Sequence, residues 1–341
     1  MRKFPFALAL AAANLAAAGS AQTAEVKAVA QTVPVGTTMD DAADDPAIWR
    51  NPRNPAESLI VATDKKAGLY VYGLDGKVRA FDPAGRLNNV DLVDLGRRGI
   101  IVVASDRNDP AQAQLRVYRL DPHSGKLTTL GSVSGGAGEA YGLCLLRKGP
   151  DLFAFSVLKV GEIHQVRIDL SAGQPSGQIV RSMKLATQTE GCVADPRTMT
   201  LYVGEEARGV WAFDAKAQGS SAGKLVASVD GQQLVADVEG LALIAKGRSG
   251  GMLVVSSQGD NAYALYRLPA MTPAGRFRII AGTVGSTEET DGIALAGGSF
   301  GRDYPQGLLV VQDGVNDAGT QNFKLVSWRD VLQALKMARP K

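Results

Sequence analysis

Apolar runs of about four to six residues, rich in Val, Leu and Tyr and bounded by Gly, Asp and Pro, recur along this chain. Runs of that length and make-up predict β-strands. They come at a regular interval. Acidic or polar residues, often a glycine, then an apolar run form one unit anchored at Asp45, Asp91, Tyr141, Glu190, Glu239 and Asp291. Successive anchors lie 46, 50, 49, 49 and 52 residues apart. Each is followed by a second apolar run, at 59–63, 100–105, 152–157, 201–204, 252–257 and 308–311. Most units carry a third and a fourth. Four short strands in a period near 49 residues match a propeller blade. The fold class expected is therefore all-β: a six-bladed β-propeller of four-stranded antiparallel blades around a central channel. A β-sandwich would not account for six evenly spaced copies.

The ends differ from the repeat. Met1-Arg2-Lys3, an Ala/Leu-rich stretch and Gly19-Ser20-Ala21 have the charged start, apolar middle and small-residue exit of a secretory signal peptide. The chain is expected to divide into a leader at 1–21, an N-terminal arm or early strand at 22–39 and the propeller at 40–341. Residues 329–338 can form a short terminal helix. The expected location is secreted or periplasmic. A membrane anchor is disfavoured because the apolar stretch is short and no basic segment follows it. Removing the leader leaves 35 basic against 34 acidic residues. That balance gives no global attraction for nucleic acid, no membrane association is expected after cleavage, and a monomer is expected. Cys144 and Cys192 are the only cysteines. A disulfide is permitted in such a compartment, but a domain this large does not need one, and two buried thiols are the favoured reading.

Spacing now becomes chemistry. The first strand of a blade lines the channel and the second runs antiparallel to it, so first-strand starts and second-strand ends meet at one mouth. Asp44, Asp45, Asp91, Glu139, Glu190, Asp237, Glu239 and Asp291 occupy the starts. Asp64, Lys65, Lys66, Asp106, Arg107, Lys159, Glu205, Glu206, Gln258 and Asp313 occupy the ends. The bases come from the first three blades and most acids from the last three, which predicts a cationic half and an acidic half. Carboxylates crowded round a mouth repel one another. A hard divalent cation relieves that, and all-oxygen donors favour calcium over zinc. Opposite bound cations, the Lys and Arg side chains suit a phosphate-rich polyanion. The chain has no Walker phosphate loop, no Gly-x-Ser-x-Gly elbow and no Cys-x5-Arg loop. Phosphate chemistry would use water and metal rather than a protein nucleophile.

Several segments, in order, resemble the β-propeller phytases: 41–49 (DAADDPAIW), 65–69 (KKAGL), 87–91 (LNNVD), 187–191 (TQTEG), 237–241 (DVEGL), 256–259 (SSQG), 291–293 (DGI) and 321–324 (QNFK). The resemblance spans about 40 to 330. It implies a calcium-dependent hydrolase of the 3-phytase type acting on phytate, myo-inositol hexakisphosphate. It implies that Lys65, Lys66, Arg107, Tyr141 and Lys159 grip phosphate, and that Glu190, Glu206, Asp237, Glu239 and Asp291 hold catalytic calcium, with Gln258 a further candidate metal ligand. It implies a more buried structural calcium site at Asp45 and Asp91, next to Asn88 and Asn89. Glu190, Asp237, Glu239, Asp291 and Tyr141 are the candidate catalytic residues. Two departures from the family, Asp106 and Asp260 in place of Asn, are expected to add negative charge near the mouth. The alternatives are a non-catalytic calcium-dependent binding propeller, or a calcium lactonase on the same fold, which would not need four cations at the mouth.

Overall fold

The computed structural model describes residues 23–38, 41–316 and 319–337; the expected leader lies outside them. Six four-stranded units follow one another along the chain. The first is Ala43–Trp49, Leu59–Asp64, Gly68–Gly73 and Val78–Asp82, and all its neighbouring strands pair antiparallel. The inner strands of the six units are Ala43–Trp49, Leu87–Asp94, Ala140–Lys148, Thr189–Asp195, Val238–Lys246 and Ile293–Gly297. Each packs against the next, and the sixth returns to the first, which closes the ring. This is the six-bladed propeller that the periodicity predicts. The core lies between blades. Leu59, Val61, Leu69 and Val71 of blade one, for example, pack on Leu87, Val90, Val102 and Tyr118 of blade two.

Blade six closes differently from the rest. Its own segment supplies three strands, ending at Asn322–Ser327, and Ala30–Gln31 adds the fourth, outermost strand. Thr23–Lys27 pairs parallel with Thr272–Ile280 and gives blade five a fifth strand. Residues 23–31 thus tie the first described part of the chain to its last two blades, and Val26 and Ala28 are buried there. The terminal helix runs over Trp328–Ala334 and buries Trp328, Val331 and Leu332.

Cys144 and Cys192 form a disulfide between the inner strands of blades three and four, with Cα atoms 5.7 Å apart. The favoured reading of two free thiols is therefore corrected. The two positions are 48 residues apart, one blade period, so equivalent points on neighbouring inner strands face each other.

Candidate active site

Five of the six inner strands carry a register irregularity near their start. It falls between Ala43 and Pro46, Leu87 and Val90, Ala140 and Leu143, Thr189 and Cys192, and Val238 and Leu241. In each, one extra inner-strand residue is fitted against the second strand, a β-bulge. The skipped positions are Asp44-Asp45, Asn88-Asn89, Tyr141-Gly142, Glu190-Gly191 and Glu239-Gly240. On a regular strand, adjacent side chains point to opposite faces. The bulge re-aims them, so that Asp44 and Asp45 are both buried. The glycines have their own reason. A Cβ on Gly142 would collide with the Glu190 carbonyl, one on Gly191 with that of Glu239, and one on Gly240 with that of Asp291. The acidic-residue–glycine pattern of the sequence marks where neighbouring blades touch backbone to backbone.

The resulting mouth is crowded with carboxylates. Atoms of Glu190, Glu206 and Glu239 all lie within 4.8 Å of one another. Lys65 Nζ donates to Asp291 Oδ2 at 2.8 Å and to Asp41, and sits 3.3 Å from Asp44 Oδ2. Gln258 Nε2 donates to Asp291 Oδ1 at 2.7 Å, and Asn88 Nδ2 donates to Glu190 Oε1 at 2.5 Å. Asp237 is exposed at the rim, near enough to Glu206 to raise its pKa. Burial pushes the Glu190 carboxyl up to about 7, against the pull of Lys65 and with the repulsion of Asp291 and Glu206. Burial also raises Asp44 and Glu239 well above the usual carboxylate range, with added repulsion from neighbouring carboxylates. Lys65 is held protonated: burial opposes its charge, but Asp44, Asp291, Glu190 and Asp41 outweigh that.

The second group of residues stands beside this cluster. Arg107 and Lys159 lie over the Tyr141 ring, 5.7 and 5.1 Å from its centroid, each within cation–π range. Arg107 is buried apart from a 3.5 Å contact with Glu139, and Lys159 is half-buried. Among the described residues, the Lys66 ammonium reaches Asp41 alone, at 3.5 Å. Asp45 and Asp91 are placed elsewhere, along the channel below the mouth with Asn89. Asp45 Oδ2 accepts from the Val90 amide, and Asp91 accepts from those of Leu92 and Leu145. Burial raises both, Asp91 to about 6.

Three expectations change in detail. The mouth is not split into a cationic and an acidic half, because Lys65 is buried among acids: blade six returns Asp291 next to blade one. Asp106 and Asp260 do not charge the mouth. Asp106 accepts from the Asn108 amide and side chain and faces Arg116 at 3.7 Å. Asp260 is paired with Arg276 on the outer strand of its own blade. Asp44 and Asp41 have a larger place than the sequence reading gave them. Asp44 was legible as a strand-start acid, but only the bulge shows that it faces the cluster rather than the channel.

The donor set fits a hard cation. Among the described residues, both carboxylate oxygens of Asp44, Glu206 Oε1, Glu239 Oε2 and Asn88 Oδ1 are buried without a hydrogen-bond partner, Asp44 Oδ2 having only its 3.3 Å ion pair with Lys65. Orphaned anionic oxygens are costly unless a cation or a proton satisfies them.

Comparison with known proteins agrees with this architecture. The phytase family model matches residues 5–339. The 3-phytase of Bacillus subtilis (strain 168) is 38% identical, over 91% of this chain and 85% of its own length. The PQQ-bound aldose sugar dehydrogenase of Streptomyces coelicolor superposes with a TM-score of 0.56 at 13% identity, covering 89% of this chain and 97% of its own, a likeness of fold alone. With a family match over nearly the whole chain and the family's acidic and basic motifs gathered at one propeller mouth, this chain belongs to the phytase family.

Proposed function

We propose that the protein is a calcium-dependent phytase that releases inorganic phosphate from myo-inositol hexakisphosphate, exported to the periplasm or beyond the cell. The observation that carries this reading is the set of buried carboxylate oxygens without a hydrogen-bond partner among the described residues, beside the Arg107–Tyr141–Lys159 cation–π group. The 3-phytase name of the Bacillus relative supports the reaction class. The Cys144–Cys192 disulfide supports export, since such bonds persist in oxidising compartments.

Glu190, Glu206, Glu239, Asp44 and Asp291 would hold the catalytic metal, with Asp237 at the rim and Gln258 orienting Asp291. Asp45 and Asp91 would hold a structural ion in the channel. When bound, calcium would supply Lewis acidity toward the phosphate oxygens and the attacking water. The chain's own residues do the rest. Arg107 and Lys159, fixed over Tyr141, bind the phosphate and stabilise charge on its oxygens as the ester bond breaks. Lys66 adds a cation at the rim. Lys65 offsets the charge of Asp44 and Asp291 and holds a cation at the phosphate side of the cluster.

The test is product analysis. Calcium-loaded protein incubated with phytate should yield inorganic phosphate and lower inositol phosphates. Retention of phytate with no phosphate released would replace the enzyme by a binding propeller.

A further inference from the structure

The inner strands start at the site and end at the opposite face, where each turns back into the second strand. These six turns, at 50–58, 94–99, 147–151, 195–199, 246–250 and 298–306, hold ten Lys and Arg against five Asp and Glu. Four of the acids are engaged locally. Asp195 pairs with Arg197, Asp303 with Arg302 and Asp151 with Arg167, and Asp94 accepts from Trp49 and Gly96. Arg53, Arg97, Arg98, Lys148, Lys246 and Arg248 are exposed and have no carboxylate within ion-pair distance among the described residues. The outer turns of blades one to five on the same face, at 73–78, 120–127, 169–176, 214–224 and 268–272, add four bases and four acids, so the rear face keeps an excess of five bases that the near-neutral total charge hides.

The basic layer is also rigid. Arg50 donates to the Ser299 carbonyl, Arg147 to that of Asp94 and Arg197 to those of Gly247 and Gly250, each bond joining one blade's turn to a neighbour's. The aromatic side chains of these turns, Phe300 and Tyr304, are buried and offer no platform for stacking bases. The charges are spread over a disc face rather than run in a stripe that would follow a nucleic-acid strand. Dispersed cations on a stiff, broad face match a plane of anionic headgroups, each near the surface adding to the attraction.

We propose that this rear face docks the exported protein on a membrane surface rich in anionic phospholipid, with the catalytic mouth turned toward solvent. The inference is independent of the phytase chemistry. The experiment is co-sedimentation of the purified protein at low salt with vesicles of phosphatidylcholine alone and of equimolar phosphatidylcholine and phosphatidylglycerol. Calcium is held at one concentration throughout, so that any calcium-bridged lipid phosphate at the mouth contributes equally to parent and variant. Binding is expected only to the phosphatidylglycerol vesicles and is lost as salt rises. The triple variant R98E/K148E/R248E should lower the partition coefficient by about a hundredfold or more, while its calcium-loaded phosphate release from soluble phytate stays that of the parent. Equal binding of parent and triple variant would overturn the proposal. So would an absence of binding to the anionic vesicles, or capture by single-stranded polynucleotide without capture by vesicles.

Discussion

Under the proposed function, Arg107 and Asp291 separate the two jobs at the mouth. Arg107 touches Tyr141 and Glu139 but none of the orphaned carboxylates, whereas Asp291 is bonded to Lys65 and Gln258 inside the cluster. A hydrogen bond to a charged group is worth about 1.5–3 kcal/mol, so Arg107→Ala should lower kcat/KM for phytate by about tenfold or more. The calcium concentration for half-maximal activity should stay put. Asp291→Ala removes an anionic donor and should raise that calcium midpoint. Calcium titrations of both variants check this, and a midpoint shifted by Arg107→Ala alone would exchange the assignments. At this scale the sequence was informative about residue type and less so about direction. Adjacent Asp44 and Asp45 look equivalent on paper. A bulge, invisible in composition, turns one to the mouth and the other to the channel.

At the scale of elements, the acidic-residue–glycine pairs are the contact points that set blade spacing. Gly191→Ala must push the inner strand of blade four off the Glu239 carbonyl. Overpacking of this kind costs about 1–3 kcal/mol, so its melting temperature should fall clearly. Gly173 lies in an open turn with nothing within 4 Å of a built Cβ, and Gly173→Ala should leave the melting temperature nearly unchanged. Thermal melts of the two variants decide, and equal behaviour would remove the close-approach argument. Five blades and three strands of the sixth were readable because local alternation repeats on a fixed period. The outer strand of blade six was not. It comes from Ala30–Gln31, nearly 300 residues away in the chain, and two residues carry too little pattern to signal a pairing partner. The disulfide was open for a similar reason: one blade period between cysteines allows the pairing, and only the ring geometry makes it.

For the whole molecule, the balance of charge at the mouth governs stability. Burial raises Glu190 to about 7 and Asp91 to about 6, and raises Asp44, Asp45 and Glu239 as well. In metal-free protein the unfolded chain loses these protons in the ordinary carboxylate range, near 4.5 for Glu190, while the fold retains them. The native state then binds more protons, so stability falls as pH rises from the ordinary carboxylate range through about 7, where Glu190 gives up its proton in the fold. Chelated protein melted across pH should trace this decline, and calcium should abolish it, since a ligand bound only by the fold stabilises it. A metal-free melting temperature that climbs from pH 5 to 7 would contradict the electrostatic reading.

The most direct test of the central claim is to strip the protein with a chelator and titrate calcium back while following phosphate release from phytate and melting temperature together. The account predicts no turnover in the stripped protein, recovery as calcium is added, and a parallel rise in melting temperature as the orphaned oxygens of Asp44, Glu206 and Glu239 gain their cation. Full phosphate release by the chelated protein would contradict it.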